Sequence, residues 1–101
     1  MSEKRKIPDK VQLKIYERDN YLCQYCGKDG LESFDSWCFM TVDHFEPEGN
    51  NSENNLKTSC NFCNSIKSNK KFDSIDEVRA FVIRRKIEKT KEFIERKKIV
   101  K

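Results

Sequence analysis

Two short stretches, Cys23-Gln24-Tyr25-Cys26-Gly27 and Cys60-Asn61-Phe62-Cys63-Asn64-Ser65-Ile66-Lys67, decide how this 101-residue chain is read. Each holds two cysteines two residues apart, and 33 residues separate Cys26 from Cys60. Doubled Cys-x-x-Cys spacing is the arrangement that supplies four thiolates to one tetrahedral zinc. The long separation requires something folded between the two knuckles. Gly27 and Gly30 permit the tight backbone of the first. Cys60 and Cys63 fall at the start of a helix expected over 59–69 and capped by Ser59, where the partial positive charge favours thiolate. Two disulfides or four buried free thiols are the alternatives. The N-terminal MSEKRKIPDK has charge but no apolar run behind it. That argues against a secretory signal and for a reducing, intracellular (cytoplasmic) setting, which favours the metal. Four cysteines leave no open coordination position, so such a zinc is structural.

Between the knuckles, Ser36–Val42 (SWCFMTV) is rich in aromatic and β-branched residues and predicts a strand buried on both faces. Trp37, Phe39 and Thr41 would lie on one face and Cys38, Met40 and Val42 on the other, which makes Cys38 a small core residue. The strand delivers Asp43-His44 at its end. A regular strand would turn these two side chains to opposite faces, so the strand is expected to bend or stop there. Residues 45–55 (FEPEGNNSENN) read as a loop or a bent second strand.

Upstream, residues 7–20 predict a short helix with Pro8 in its first turn and Val11, Ile15 and Arg18 on one face. Downstream, Ser74 and Glu77 form a capping box that opens a long basic helix over about 75–98. Its apolar residues fall into two stripes, Val78, Phe81 and Val82, and Ile83, Ile87 and Ile94. One stripe can close a core; the other needs the N-terminal helix or a partner, either a second copy or a larger protein. The expected architecture is one α+β domain over 1–101, with its core at about 8–70.

The chain is 36% hydrophobic and 38% charged, with a mean hydropathy of -0.90. No run approaches the roughly 18 apolar residues of a membrane span, and the core must be thin. A structural zinc would offset that, since metal binding can contribute on the order of 10 kcal/mol to folding. The net charge of +4 hides a division. Residues 1–78 carry 11 Lys/Arg against 14 Asp/Glu, residues 79–101 carry 10 against 3, and residues 29–56 hold seven acids and no Lys or Arg. So acidic a stretch tolerates phosphate only around a cation.

His44 is the only histidine. Its neighbour is a carboxylate, and at 100° per residue Asn64 shares a helix stripe with Cys60, Cys63 and Lys67. In order along residues 8–70, Glu17-Arg18-Asp19-Asn20-Tyr21, the first knuckle, Asp43-His44-Phe45-Glu46-Pro47, Asn55-Leu56 and the second knuckle through Lys67 resemble the HNH nuclease family. The resemblance implies a ββα-metal core of two strands and a helix, often buttressed by four cysteines. It implies that His44 is the general base activating water, that Asn55 orients the loop and braces that base, and that Asn64, standing where the motif ends in His or Asn, holds Mg²⁺ or Mn²⁺ with Asp43.

The chemistry asks for these residue types independently. Phosphodiester hydrolysis needs a group that takes a proton from water at neutral pH, which an imidazole does, and a cation against the charge on phosphorus and the leaving oxygen. Lys67 would add a second positive group there. Arg84, Arg85, Lys86 and Lys89 on the C-terminal helix and Arg18 on the first are the candidates for contacts to a DNA backbone. Nothing resembles a base-reading module, so sequence preference should be weak. The reading is a metal-dependent endonuclease acting on double-stranded DNA in a bacterial or phage context. The rivals are a non-catalytic zinc-stabilised nucleic-acid-binding module and a subunit that docks a larger partner in a phage or restriction system.

Overall fold

Pro8 opens the first helix, its φ of -59° suiting an N-terminus and its carbonyl accepting from the amides of Val11 and Gln12 at 3.0 Å. Helix α1 (Asp9–Arg18) buries Ile15 and Tyr16. It stops where Asn20 takes a φ of 56°. The Tyr21 amide reaches back to the Tyr16 carbonyl at 2.8 Å and the Asn20 amide to that of Glu17 at 3.2 Å, a Schellman closure with asparagine in the left-handed position. The structure, a computed structural model, describes residues 6–100. Met1–Arg5, on which much of the expectation about a secretory signal rests, and Lys101 lie outside the described residues.

The strand expected from Ser36 begins four residues later. Ser33 accepts a hydrogen bond from the Ser36 amide at 3.0 Å and starts a single helical turn, α2 (Phe34–Cys38), with Asp35 at its positive end. The cap outweighs the strand-like composition. Cys38 is therefore exposed rather than in the core, and Phe39 is 55% exposed. Strand β1 (Met40–His44) does end at His44, and it pairs antiparallel with β2 (Leu56–Cys60), Met40 opposite Cys60 and His44 opposite Leu56. Residues 45–55 form the connecting loop, closed by a 3₁₀ turn over Glu53–Asn55.

Helix α3 (Asn61–Lys67) follows without a break. Its cap is Cys60, whose Sγ accepts from the Cys63 amide; the expected cap, Ser59, lies buried in β2 and donates to the Cys60 carbonyl at 2.9 Å. Helix α4 (Ile75–Val100) starts as the capping box predicts, with the Glu77 amide donating to Ser74 Oγ at 3.3 Å. Glu77 reaches one residue further back, to the Asp73 amide at 3.0 Å. Val78 and Val82 are buried, whereas Ile83, Ile87 and Ile94 are exposed. No helix among the described residues is long and apolar enough to cross a membrane.

The core lies on both sides of the hairpin. Ile7, Ile15 and Leu56 pack on one side. Tyr16, Tyr25, Met40, Val78 and Val82 pack around Cys23, Cys60 and Cys63 on the other. Three of the eleven buried hydrophobic side chains among the described residues are cysteines, so the thin core is assembled around sulfur.

Candidate active site and metal centre

The sulfur atoms of Cys23, Cys26, Cys60 and Cys63 all lie within 4.8 Å of one another, and those of Cys26 and Cys60 are 3.8 Å apart. A tetrahedron with metal–sulfur bonds of about 2.3 Å has edges of about 3.8 Å, so the cluster fits one tetrahedral ion. None of the four is in a disulfide. Without a cation the thiols share protons. Hydrogen bonds from Cys26, Cys60 and Cys63 draw Cys23 down, while donating to Cys23 pushes Cys26 and Cys63 up. Gly27 closes the first knuckle at a φ of 84°, its amide bonding the Cys23 carbonyl at 2.8 Å.

At the far end of β1, Asp43 is buried. Tyr25 donates its hydroxyl to Asp43 Oδ2 at 2.7 Å, and the Lys67 ammonium lies 3.2 Å from the same oxygen. Burial raises the Asp43 pKa, a push the Tyr25 and Lys67 contacts only partly offset. Burial, then the Asp43 charge, keeps the Tyr25 phenol protonated. Both contacts fall on Oδ2, and Oδ1 has no hydrogen-bond partner among the described residues. Lys67 is fully buried and also donates to the His44 carbonyl at 3.0 Å. Its ammonium is thus an interior counter-charge for Asp43, not the surface group that phosphate would meet.

His44 Nε2 lies 2.6 Å from Asn51 Oδ1. The Asn51 amide is oriented by its Nδ2, which donates to the Lys6 carbonyl at 3.0 Å, so the oxygen facing His44 can only accept. Nε2 must then carry the proton, which leaves the neutral ring's lone pair on Nδ1. Asn55, the residue expected to brace the base, acts on the loop. Its Oδ1 accepts from the Glu46 amide at 2.8 Å and its Nδ2 donates to the carbonyls of Glu46 and Asn50 at 3.3 and 3.0 Å. Gly49 is required beside it, because a Cβ there would come within 2.5 Å of Asn55 Nδ2. The contact to the imidazole itself comes from Asn51, four residues upstream, which the sequence pattern leaves unmarked within a run of asparagines.

Asp43, His44 and Asn64 line one open pocket of about 390 Å³, together with Val42, Pro47, Ser68 and Asn69. The Asn64 side chain makes no hydrogen bond among the described residues, so its amide oxygen is available to a ligand. Ser68 ends α3 at a φ of 52° and turns the chain along the pocket rim, which puts Lys70 and Lys71 directly after two lining residues. These lysines were not singled out in the sequence. The expected backbone contacts are differently placed. Arg18 bonds Asp19 and the carbonyls of Glu53 and Leu56, fastening α1 to the loop and β2. On α4, Arg85 and Lys89 pair with Glu88 and Glu92, and neither they nor Arg84 and Lys86 line this pocket.

An antiparallel hairpin running directly into a helix, with a carboxylate and an imidazole at the strand end and an asparagine on the helix, defines a ββα core buttressed by a four-cysteine centre. Residues 23–70, from the first knuckle to the rim of the pocket, match the HNH endonuclease family. No curated protein and no solved structure matches the chain. The family match supports a nuclease-type function, with nucleic acid as the partner class.

Proposed function

We propose that this protein is a metal-dependent endonuclease that hydrolyses phosphodiester bonds in double-stranded DNA, with His44 as general base. The observation that carries the reading is the convergence of Asp43, His44 and Asn64 on one open pocket. Water held against His44 Nδ1 gives up its proton to the ring, and Asn51 on Nε2 orients the imidazole and favours the imidazolium that forms. Attack on phosphorus then breaks the P–O bond opposite. Asp43 Oδ1 and the Asn64 amide oxygen are the hard donors that suit magnesium or manganese. Such an ion supplies Lewis-acid stabilisation of charge on the phosphate and leaving oxygen. Asn55 keeps the loop between Glu46 and Asn50 in the shape that presents Asn51.

The four-cysteine centre is read as a structural zinc site with no open position. Lys70 and Lys71, beside the pocket rim, are the proposed contacts to DNA phosphates, and the cations of α4 attract DNA at longer range. The test is incubation of the purified protein with supercoiled plasmid in magnesium or manganese. Nicking that EDTA abolishes is expected; tight plasmid binding with no nicking in either metal would instead make the chain a non-catalytic binding module.

A further inference from the structure

Beyond Val82, α4 runs past the first knuckle and out of the body of the protein, and no residue from Ile83 to Val100 is buried. Along this projection Ile83, Ile87, Thr90 and Ile94 recur at spacings of four, three and four, which aligns them in one narrow seam of heptad a/d type. The three isoleucines are 53%, 54% and 45% exposed. The seam lies well round the helix from the buried Val78 and Val82. At its base, Cys26 of the first knuckle joins Ile83, Ile87 and Thr90 in lining a groove of about 360 Å³.

The charges beside the seam have one sign. Lys86 flanks one edge and Arg84 and Lys91 the other, and none of the three has an ion-pair partner among the described residues. Glu88, Glu92 and Glu95 fall further round the helix, where they pair with Arg85, Lys89 and Lys98, the last of these a further cation on the Arg84 and Lys91 edge. We propose that this seam docks an acidic amphipathic helix of another protein, one with apolar residues at a/d spacing and Glu or Asp beside them. A second copy fits poorly, because either parallel or antiparallel pairing sets these cations against themselves. Duplex DNA would satisfy the cations but lay phosphate over exposed isoleucines. The proposal does not depend on the nuclease reading, since no residue of α4 lines the His44 pocket.

Fluorescence anisotropy on the full, metal-loaded chain tests it, with a labelled synthetic helix carrying Leu at a and d and Glu at e and g; the glutamates keep the peptide from pairing with itself. Binding is expected, and a matched peptide with Lys at e and g should not bind. Ile87→Ser, and separately the pair Lys86→Glu and Lys91→Glu, should each weaken binding roughly tenfold or more. Zinc content and plasmid nicking should stay at parental values, because these residues border the first knuckle across an open groove without supplying a ligand and lie outside the His44 pocket. The proposal is overturned by absence of binding, by binding indifferent to both variants, by sedimentation as a dimer that Ile87→Ser dissociates, or by duplex DNA that competes with the peptide in an Ile87-dependent way.

Discussion

Asp43 and Lys67 meet with 8% and 0% of their side chains exposed, so each is the other's principal compensation for leaving water. Lys67→Met should lower stability by about 3–5 kcal/mol, read by urea unfolding of the metal-loaded protein, because Asp43 is left buried without its counter-charge. Adding Asp43→Asn should restore much of that loss. Asn51 predicts a different signature. Asn51→Leu removes the acceptor that fixes the His44 ring, and should lower kcat on the order of tenfold or more with zinc content unchanged, whereas Asn51→Asp keeps an acceptor and should retain more activity. Asp19 controls the acid limb. Burial pushes its pKa up, but the Arg18 hydrogen bond, with those from Thr58, more than reverses this and holds it below the usual carboxylate range. A lowered folded-state pKa gives stability that is fully present above about pH 4 and lost as pH falls through the lowered value. The stability gap between the parent and Asp19→Asn should therefore narrow as pH drops below about 4, measured by urea unfolding across pH.

The second knuckle joins two elements, since Cys60 is at once the last residue of β2, the cap of α3 and a member of the sulfur cluster. Stripping the ion in reducing buffer should raise hydrogen exchange first in α3 and the first turns of α4, which pack against the cluster, and only later in α1, which reaches it through Tyr16 and is held on the other side of the hairpin by Ile15. The knuckles, the Asp43-His44 strand end and both flanking helices were legible in the sequence because their signals are local: fixed spacing, a single histidine, a capping box. Strand β2 was not, because Leu-Lys-Thr-Ser-Cys lacks a strong strand composition and is held by pairing with β1 and by the Thr58 amide on Asp19 at 2.9 Å. Ser36–Cys38 has the aromatic composition of a strand, but the Ser33 cap commits it to a helical turn. The stripe position of Lys67 is legible but the packing that carries it inward is not, and Asn51 has no local signal because its contact crosses a loop.

At the scale of the molecule the chain spans 46 × 30 × 25 Å with a radius of gyration of 14.7 Å, above the roughly 13 Å of a compact chain this long. Part of the excess is the projecting α4. The net charge of +4 is thereby distributed in space: the acidic residues 29–56 stay on the ββα body, with Asp43 in the His44 pocket, and most of the basic excess stands out along the helix. Nicking should accordingly fall steeply between low and physiological salt, and shortening the chain after Thr90 should weaken that dependence without changing zinc content. The central claim is the role of His44. Its most direct measurement is the initial rate of plasmid nicking by parent and His44→Ala protein matched for zinc content and circular dichroism. A loss on the order of 100-fold or more is expected; equal rates in the two proteins would contradict the account.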